Sequence, residues 1–259
     1  RQKLPRPDLI VGVGHRVHLS ILIAKFLFGG KSIVIMKPSI PVHWFDLCII
    51  PNHDEYNGKG LVYRTKGALC GVINKCEKKS NKGLILIGGI SKTFIWDADS
   101  VLKQIMQLVI NNPNIKFELT TSRRTPEDFS LNLKKLKTSL NNISLNYKKN
   151  LKISFSKNQN QNWVKERMSV AKFAWITEDS ISMISESLTA GQLVGIIKLP
   201  KNKFYKKNKK RTSLDILKKE GFIFYDQDGT YKNKNKLKIF PNQAKKCANW
   251  IKQNFISNG

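Results

Sequence analysis

The sequence is poor in acidic residues and in cysteine. Its 259 residues include 18 Asp or Glu against 46 Lys or Arg, which gives a formal net charge of +28. The four cysteines form no C-x-x-C pair and lie in or beside apolar segments, a pattern typical of reduced, structural thiols. We therefore expect a cytoplasmic protein whose cysteines form no disulfide bonds.

Long apolar runs are also missing. The apolar stretch at 19–28 contains Lys25 and is followed by Gly29 and Gly30, so it falls short of the roughly 18 residues of a membrane span. We find no cleavable signal. The sequence opens at Arg1, without Met, and almost at once enters a predicted strand. We expect a natural beginning to be missing and the N-terminal domain to be truncated at its start.

The positive charge raises the question of a nucleic-acid ligand. Only eight of the 46 basic residues are Arg, whereas nucleic-acid readers favour Arg, whose planar fork matches phosphates and base edges. The densest basic run, KNKFYKKNKKR at 201–211, contains only two aromatic residues. We interpret this run as a solvated loop and expect no nucleic-acid partner. Contact with an anionic membrane surface, at the inner face of the membrane, is the alternative.

Short apolar runs alternate with helical patterns, which predicts an α/β fold with parallel sheets. The clearest unit is FAWITEDSISMISESLTAGQLVGII at 173–197, which has the pattern of a strand, a helix and a second strand. A polar stretch without periodicity, CEKKSNKG at 76–83, separates two such series. We therefore predict an N-terminal domain at 1–80, a second domain at 81–240 and a C-terminal helix at 241–259.

Polar residues follow the first strand of the 173–197 unit, and ligands bind at the carboxyl ends of parallel strands. These residues lie at a predicted helix N-terminus, where unpaired N–H groups and the helix dipole favour a phosphate. One turn further, a carboxylate is placed to accept hydrogen bonds from ribose hydroxyls. The alternative is that Asp179 or Ser180 caps the helix. The nucleotide-binding candidates here are Glu178, Asp179, Ser180, Ser182, Met183 and Glu186.

Two other loops of the second domain carry chemistry suited to phosphate. The first, GGISKT, combines glycines that allow close backbone approach with two hydroxyls and an ammonium group, but it lacks the Walker spacing. The second, TTSRRTPE, has two adjacent Arg residues that suit a diphosphate through bidentate bonds; an exposed basic turn is the alternative. Each loop is followed by a predicted helix: Asp97 is the expected N-cap of the first, and Thr125 that of the second, with Pro126 at the first helical position. The candidates in these loops are Gly88, Gly89, Ser91, Lys92, Ser122, Arg123 and Arg124.

The N-terminal half offers candidate bases. DLIVGVG at 8–14 predicts a strand that enters a tight glycine turn, with His15 at its tip, and Val17 replaces the third glycine of a dinucleotide loop. His53 and Asp54 follow the predicted strand FDLCIIP and are candidates for a general base, as is His15. The alternative for His53 and Asp54 is that they hold a turn. We interpret the Asp-Gln-Asp-Gly sequence at 226–229 as a turn and predict no metal site.

Read together, GGISKTFIWD, TTSRRTPE and ITEDSISMISE resemble, in order and separation, the mitochondrial fission ("elongated mitochondria") family of bacteria and plants. PDLIVGVGHR and FDLCIIPNHDE are similar to the N-terminal half of that family, so the resemblance covers nearly the whole chain. It implies a glycosyltransferase fold of the B type. In that fold two Rossmann-like domains face a cleft, with the donor nucleotide in the second, the acceptor in the first and a final helix crossing back.

Within this family the bacterial members are described as glycosyltransferases by inference from fold, and the plant protein recruits a dynamin-like protein to mitochondria. We therefore predict a metal-independent glycosyltransferase that uses a nucleoside-diphosphate sugar, without a cofactor, on a cell-envelope or lipid-linked acceptor. Two alternatives stay open: a non-catalytic membrane-surface adaptor and a nucleotide-sugar epimerase. Polar residues at every strand end favour the enzyme, because an adaptor has no evident need for them.

Overall fold

The computed structural model describes residues 5–71, 79–155, 162–202, 204, 209–225 and 237–256. The chain divides into two compact units, each with its own parallel sheet. Unit 1 comprises Arg1–Leu69 and Asn242–Gly259, and unit 2 comprises Cys70–Pro241. The sequence predicts the division near residue 80, just after a stretch at 72–78 that lies outside the described residues. The predicted α/β fold with parallel sheets is confirmed.

Unit 1 is built on a four-stranded sheet whose strand order follows the sequence. Its elements are β1 (Leu9–Val13), α1 (His18–Phe28), β2 (Lys31–Ile35), β3 (Leu47–Pro51) and β4 (Val62–Thr65). Each strand runs parallel to its neighbour. Short 3-10 helices at His15–Val17 and Val42–Trp44 lie between strands. The loops after all four strands therefore leave from the same edge of the sheet.

Side chains of β2 and β3 alternate between two apolar layers, because successive residues of a strand point to opposite faces. The layer that α1 covers consists of Ile21, Val34, Val42, Phe45, Cys48 and Ile50. The opposite layer contains Ile33, Leu47 and Ile49. Asp46 links α1 to the sheet, because its carboxylate accepts hydrogen bonds from Lys25 at 2.8 Å and from the backbone N–H of Ser32 at 2.7 Å.

Unit 2 contains a six-stranded parallel sheet. Its strands are β5 (Lys79–Leu86), β6 (Lys116–Thr120), β7 (Leu151–Ser154), β8 (Ala171–Thr177), β9 (Leu193–Ile197) and β10 (Ile223–Phe224). They lie in the order β7-β6-β5-β8-β9-β10, so the first three strands extend to one side and the last three to the other. This is the Rossmann order 3-2-1-4-5-6, in which the direction of winding reverses between β5 and β8.

Helices connect the strands of unit 2. They are α2 (Ala98–Asn111), α3 (Phe129–Ile143), α4 (Leu145–Asn150), α5 (Trp163–Val170), α6 (Ile181–Thr189) and α7 (Lys209–Lys219). The sequence does not predict α4, and it assigns the start of α7 to the basic loop at 201–211. That assignment is wrong for 209–211, because α7 already begins at Lys209. Leu214 and Leu217, at helical spacing further along α7, anchor the helix in the unit 2 core. Residues 203 and 205–208 of the basic run lie outside the described residues.

The last helix belongs to unit 1. It is α8 (Gln243–Ile251), and a π-helical turn at Lys252–Ile256 continues it. Cys247 of α8 and Phe255 of the turn pack into the same layer as the apolar side chains of β2 and β3 that face away from α1. The sheet of unit 1 is therefore covered by α1 on one face and by α8 on the other.

Candidate functional site

The carboxyl ends of β6, β5 and β8 lie side by side at the centre of the unit 2 sheet. In doubly wound sheets, ligands bind at this edge, beside the point where the winding reverses. The loops that follow β5, β6 and β8 comprise residues 87–97, 121–128 and 178–180, and we call them the β5, β6 and β8 loops, respectively. All nucleotide candidates predicted from the sequence belong to these loops or to α6, which follows the β8 loop.

Two glycines bring the β5 loop against the other two loops. The backbone N–H of Gly88 donates to Oγ1 of Thr177 at 2.7 Å, and that of Gly89 donates to Oδ2 of Asp179 at 3.1 Å. A Cβ atom on Gly88 would overlap the carboxylate of Asp179, and one on Gly89 would overlap the backbone carbonyl of Arg124. Glycine is therefore required at both positions for the close approach of the three loops.

An ion pair joins the β6 loop to the β8 loop. Nη2 of Arg124 lies 2.8 Å from Oδ2 of Asp179 and donates to Oγ of Ser180 at 3.0 Å. Nη1 of Arg124 donates to the carbonyl oxygen of Ile90 at 3.3 Å. The Asp179 side chain is fully buried, whereas 45% of the Arg124 side chain is exposed. Asp179 and Ser180 thus hold the loops together, and part of Arg124 still faces solvent.

Two hydroxyl groups fasten the start of the β6 loop. Oγ of Ser122 donates to the carbonyl of Gly88 at 2.8 Å, and Oγ1 of Thr125 donates to the same carbonyl. Thr125 also accepts a hydrogen bond from the backbone N–H of Ser122 at 2.9 Å. The sequence predicts Thr125 as a helix N-cap with Pro126 at the first helical position, and this prediction is wrong. The Thr125 hydroxyl is engaged within the loops, and α3 begins only at Phe129.

Four of the nucleotide candidates are exposed: Lys92, Arg123, Arg124 and Ser182. Ser91 instead stabilises the β5 loop, because its Oγ accepts a hydrogen bond from the backbone N–H of Phe94 at 3.2 Å. Arg123 and Arg124 are adjacent in sequence and both exposed, yet their surroundings differ. Arg123 presents an exposed cation, whereas Arg124 is tied to a buried carboxylate.

The amino end of α6 lies directly after the β8 loop. Ser180 precedes its first turn but makes no side-chain capping hydrogen bond, and its hydroxyl donates to Oδ2 of Asp179 at 3.1 Å. The capping alternative for Ser180 is therefore wrong. The N–H groups of Ile181–Met183 have no intrahelical acceptor in an α-helix that starts here. Together with the helix dipole they favour an anion at this position.

Glu186 and Met183 lie within the first two turns of α6 and are half-buried. Burial raises the pKa of Glu186, and the nearby ammonium of Lys165 partly opposes this shift. Lys165 belongs to α5, the helix that leads into β8. A half-buried carboxyl group close to a helix amino end is suited to accept hydrogen bonds from a neutral polyol such as ribose.

Glu178 is buried within unit 2 rather than exposed to a ligand. Its Oε2 accepts a hydrogen bond from the backbone N–H of Leu199 at 2.8 Å. Burial raises its pKa, and the hydrogen bonds from Leu199 and the Tyr225 side chain oppose the shift. Nζ of Lys198 lies 5.6 Å from the Tyr225 ring centroid. In the sequence, Tyr225 is marked only by its place at the end of the apolar run FIFY at 222–225.

The candidate bases follow strands of the unit 1 sheet. His15 is exposed after β1, whereas His53 is half-buried and Asp54 is buried after β3. The turn after β3 is held by Arg64, whose Nη1 donates to the carbonyl of Asp54 at 3.0 Å and whose Nη2 donates to the carbonyl of Asn52 at 3.2 Å. These bonds favour a structural role for the turn, and the assignment of a base stays a prediction.

A sequence model of the protein family described as Mitochondrial fission ELM1 matches residues 1–255. The chain belongs to this family. The resemblance seen in the loop motifs GGISKTFIWD, TTSRRTPE and ITEDSISMISE is thereby confirmed. Because the ELM1 match extends over both units, it includes the candidate residues of each sheet.

Among curated proteins, this ELM1-family chain is 26% identical over 235 residues to uncharacterized protein RP120 of Rickettsia prowazekii (strain Madrid E). The alignment covers 73% of the chain and 64% of RP120, so the chain spans less than two thirds of that relative's length. Among solved structures, this chain is similar to MurG of Acinetobacter baumannii, with a TM-score of 0.44 and 12% identity. This match covers 87% of the present chain and 61% of the MurG chain. A second similar structure is Medicago truncatula UGT71G1 complexed with UDP-glucose, with a TM-score of 0.40 and 11% identity. This match covers 95% of the present chain and 68% of the UGT71G1 chain.

Within the described parts of this ELM1-family chain, no helix combines the length and the apolar character needed to cross a membrane. Those same parts contain no cluster of three or more His, Cys, Asp or Glu side chains suited to a metal ion. The predicted turn at 226–229 and Cys76 lie outside the described residues. Cys48, Cys70 and Cys247 are buried and form no disulfide.

Proposed function

We propose that this chain is a glycosyltransferase that uses a nucleoside-diphosphate sugar on a cell-envelope or lipid-linked acceptor without a metal ion. The observation that carries the proposal is the meeting of the β5, β6 and β8 loops where the sheet of unit 2 reverses its winding. The Arg124–Asp179 ion pair at 2.8 Å and the Gly88–Thr177 hydrogen bond at 2.7 Å join these loops. Doubly wound sheets bind nucleotides at this position.

In the proposed site the diphosphate lies between the β6 loop and the amino end of α6. Arg123 supplies an exposed guanidinium group, and the N–H groups of Ile181–Met183 supply a neutral set of donors. The exposed part of Arg124, which Asp179 holds in a fixed orientation, adds a second cation. Lys92 of the β5 loop is a third. Glu186, further along α6, accepts hydrogen bonds from the ribose.

During transfer, an acceptor oxygen attacks the anomeric carbon of the donor. The new carbon–oxygen bond forms as the bond between that carbon and the diphosphate oxygen breaks, and its electron pair leaves with the diphosphate. The acceptor proton passes to a base, for which His53 and His15 are better suited than the buried Asp54. Negative charge grows on the leaving diphosphate, and preorganised donors and cations stabilise it most effectively.

A thermal-shift screen against nucleotides and nucleotide sugars tests the binding step. A ligand at one hundred times its dissociation constant adds roughly 2.7 kcal/mol to the free energy of unfolding. We expect a shift with at least one nucleoside diphosphate, and a smaller shift in Arg123→Ala. No shift with any nucleotide or nucleotide sugar would contradict the enzyme and favour the adaptor.

A donor-hydrolysis or transfer assay, run with and without a chelator, tests the chemistry. We expect activity to survive the chelator, since the proposal assigns the leaving-group charge to protein groups. Removal of one preorganised donor typically lowers the rate about a hundredfold, so Arg123→Ala should reduce turnover on this scale. Activity abolished by the chelator, or unchanged in Arg123→Ala, would refute the metal-independent mechanism.

A further inference from the structure

The strand β7 lies at one end of the unit 2 sheet. Among the described residues it pairs only with β6, in a parallel register from Phe117 with Leu151 to Thr120 with Ser154. Within that part of the chain, the backbone N–H and C=O groups of β7 that point away from β6 therefore have no strand partner. Such an edge can accept one further strand from another chain.

A groove of about 250 Å³ lies between α3 and the end of β7, and we call it the β7 groove. Ile153 and Phe155 supply its apolar lining; both are half-buried and pack against the unit 2 core. The α3 side of the groove is formed by Lys134, Lys137 and Thr138. Pockets for small molecules typically measure about 300–1,000 Å³. The β7 groove is therefore suited to one or two side chains of a larger ligand rather than to a whole small molecule.

The surroundings of the β7 groove are basic. Lys134 is exposed and Lys137 is half-buried, and within the described ranges neither ammonium group has an ion-pair partner. The sequence at 129–155 contains six Lys and no Asp or Glu. Residues 97–128, directly before it, contain four Lys or Arg and five Asp or Glu. The positive charge is thus concentrated around the groove, and it favours an acidic ligand.

We propose that the edge of β7 and the β7 groove bind an acidic, extended segment of a partner protein, which pairs with β7 as an additional strand. Alternate side chains of such a strand point to the same face of the sheet. One apolar side chain of the segment contacts Ile153 and Phe155 in the groove. The residues two positions before and after it are acidic and pair with Lys134 and Lys137. The partner sequence therefore has the pattern acidic-x-apolar-x-acidic.

Two other occupants fit this edge less well. A second copy of β7 would bring together two exposed Lys152 side chains and two basic grooves, and like charges on paired strands are destabilising. Lysine on an edge strand disfavours self-pairing for this reason. A nucleic acid is attracted by the charge, but it has no peptide N–H and C=O groups to pair with the strand. The open edge and the charge together therefore select an acidic polypeptide.

Fluorescence anisotropy of the 259-residue chain with a labelled heptapeptide, Thr-Asp-Thr-Leu-Thr-Asp-Thr, tests this inference. We expect saturable binding that weakens as salt is added. A peptide with Lys in place of both Asp residues should not bind. A peptide of the original sequence, methylated at the five central backbone nitrogens, keeps both charges but cannot donate to a strand edge. It should bind about tenfold more weakly.

Charge reversal in the β7 groove provides the second arm. Lys137→Glu, and Lys134→Glu at the more exposed position, should each weaken peptide binding about tenfold. Lys219→Glu is the matched control, because Lys219 is an exposed residue of α7, which packs on β10 at the opposite end of the sheet. It should bind the peptide as the wild type does. Circular dichroism checks that all three variants are folded.

Three outcomes would overturn the proposal. The first is absence of peptide binding, and the second is equal affinity for the methylated peptide or an equal loss in Lys219→Glu. The third is tighter binding of a labelled single-stranded oligonucleotide that Lys137→Glu weakens and Lys219→Glu does not, which would favour a nucleic acid. The nucleotide-induced thermal shift of Lys137→Glu should match the wild type, so failure of this proposal is distinguishable from failure of the proposed function.

Discussion

Replacement of Arg124 with alanine removes the cation beside a buried carboxylate, whereas replacement of Arg123 removes an exposed cation. The Arg124 guanidinium lies 2.8 Å from Oδ2 of Asp179, whose side chain is fully buried. In Arg124→Ala this carboxylate keeps hydrogen bonds from Gly89 and Ser180 but loses the guanidinium. We therefore expect two neighbouring arginines, equivalent by sequence, to differ in their effect on stability.

The exposure of Arg124 sets the size of the effect. Removal of one partner from a fully buried ion pair costs about 3–5 kcal/mol, whereas an exposed pair contributes about 0–1 kcal/mol. Because 45% of the Arg124 side chain is exposed, solvent screens the pair, and we expect Arg124→Ala to cost about 2 kcal/mol. In a protein of this size that loss lowers Tm by about 4–8 °C. Arg123→Ala should leave Tm within about 2 °C of the wild type.

Thermal unfolding of the wild type, both variants and the double variant Arg124→Ala/Asp179→Asn is the assay. Asn at position 179 retains an acceptor for the Gly89 N–H but removes the buried charge. The double variant should therefore recover about 1 kcal/mol relative to Arg124→Ala alone. Equal Tm values for the two single variants, or a double variant no more stable than Arg124→Ala, would refute the role assigned to the ion pair.

Three further outcomes are expected. Gly89→Ala should lower the free energy of unfolding by about 1–3 kcal/mol, because the added Cβ overlaps the backbone of the β6 loop. The control is Gly71→Ala, which has open space around the added atom and should leave the free energy of unfolding unchanged. Thermal unfolding of both variants provides the comparison. Burial raises the folded-state pKa of Glu178, so the protonated group contributes to the free energy of unfolding below its unfolded-state pKa, and this contribution is lost as the pH rises through its folded-state pKa. Glu178→Gln should therefore flatten that part of the curve of unfolding free energy against pH. Burial raises the pKa of Cys48 to about 12 and that of Cys247 to about 11, so peptide mapping should find both unmodified by a thiol reagent until denaturant is added.

The sequence predicts the elements of this fold well where a local pattern decides them. Most strands of both sheets contain a short apolar run, because parallel strands covered on both faces are mainly apolar. β5 is the exception: it begins at Lys79, so the prediction of 76–83 as a polar boundary between domains is wrong for 79–83, where pairing with β6 and β8 places a polar sequence in the sheet. The N-cap of α2 is a second local signal, and the structure confirms it: Asp97 accepts a hydrogen bond from the backbone N–H of Ser100 at 3.0 Å. Both signals lie within a few residues of the feature they specify.

The contacts of the candidate site were not predictable in the same way. The Arg124–Asp179 pair joins residues 55 positions apart by sequence numbering, and no local pattern distinguishes Arg124 from Arg123. Thr125 has the sequence features of an N-cap, yet the carbonyl of Gly88, brought close by the parallel pairing of β5 and β6, engages its hydroxyl. In each case a partner from another strand decides the outcome.

Unit 1 combines two segments, 1–69 and 242–259, that are far apart in sequence, whereas unit 2 is continuous in sequence. During synthesis, Ile33, Leu47 and Ile49 therefore leave the ribosome long before Cys247 and Phe255, which complete their apolar layer. Unit 2 can form its core in the interval, since domains fold as their residues emerge. Completion of the unit 1 core must then wait until the segment from residue 242 onwards has been synthesised. Until that moment one face of its sheet is open to aggregation or to a chaperone.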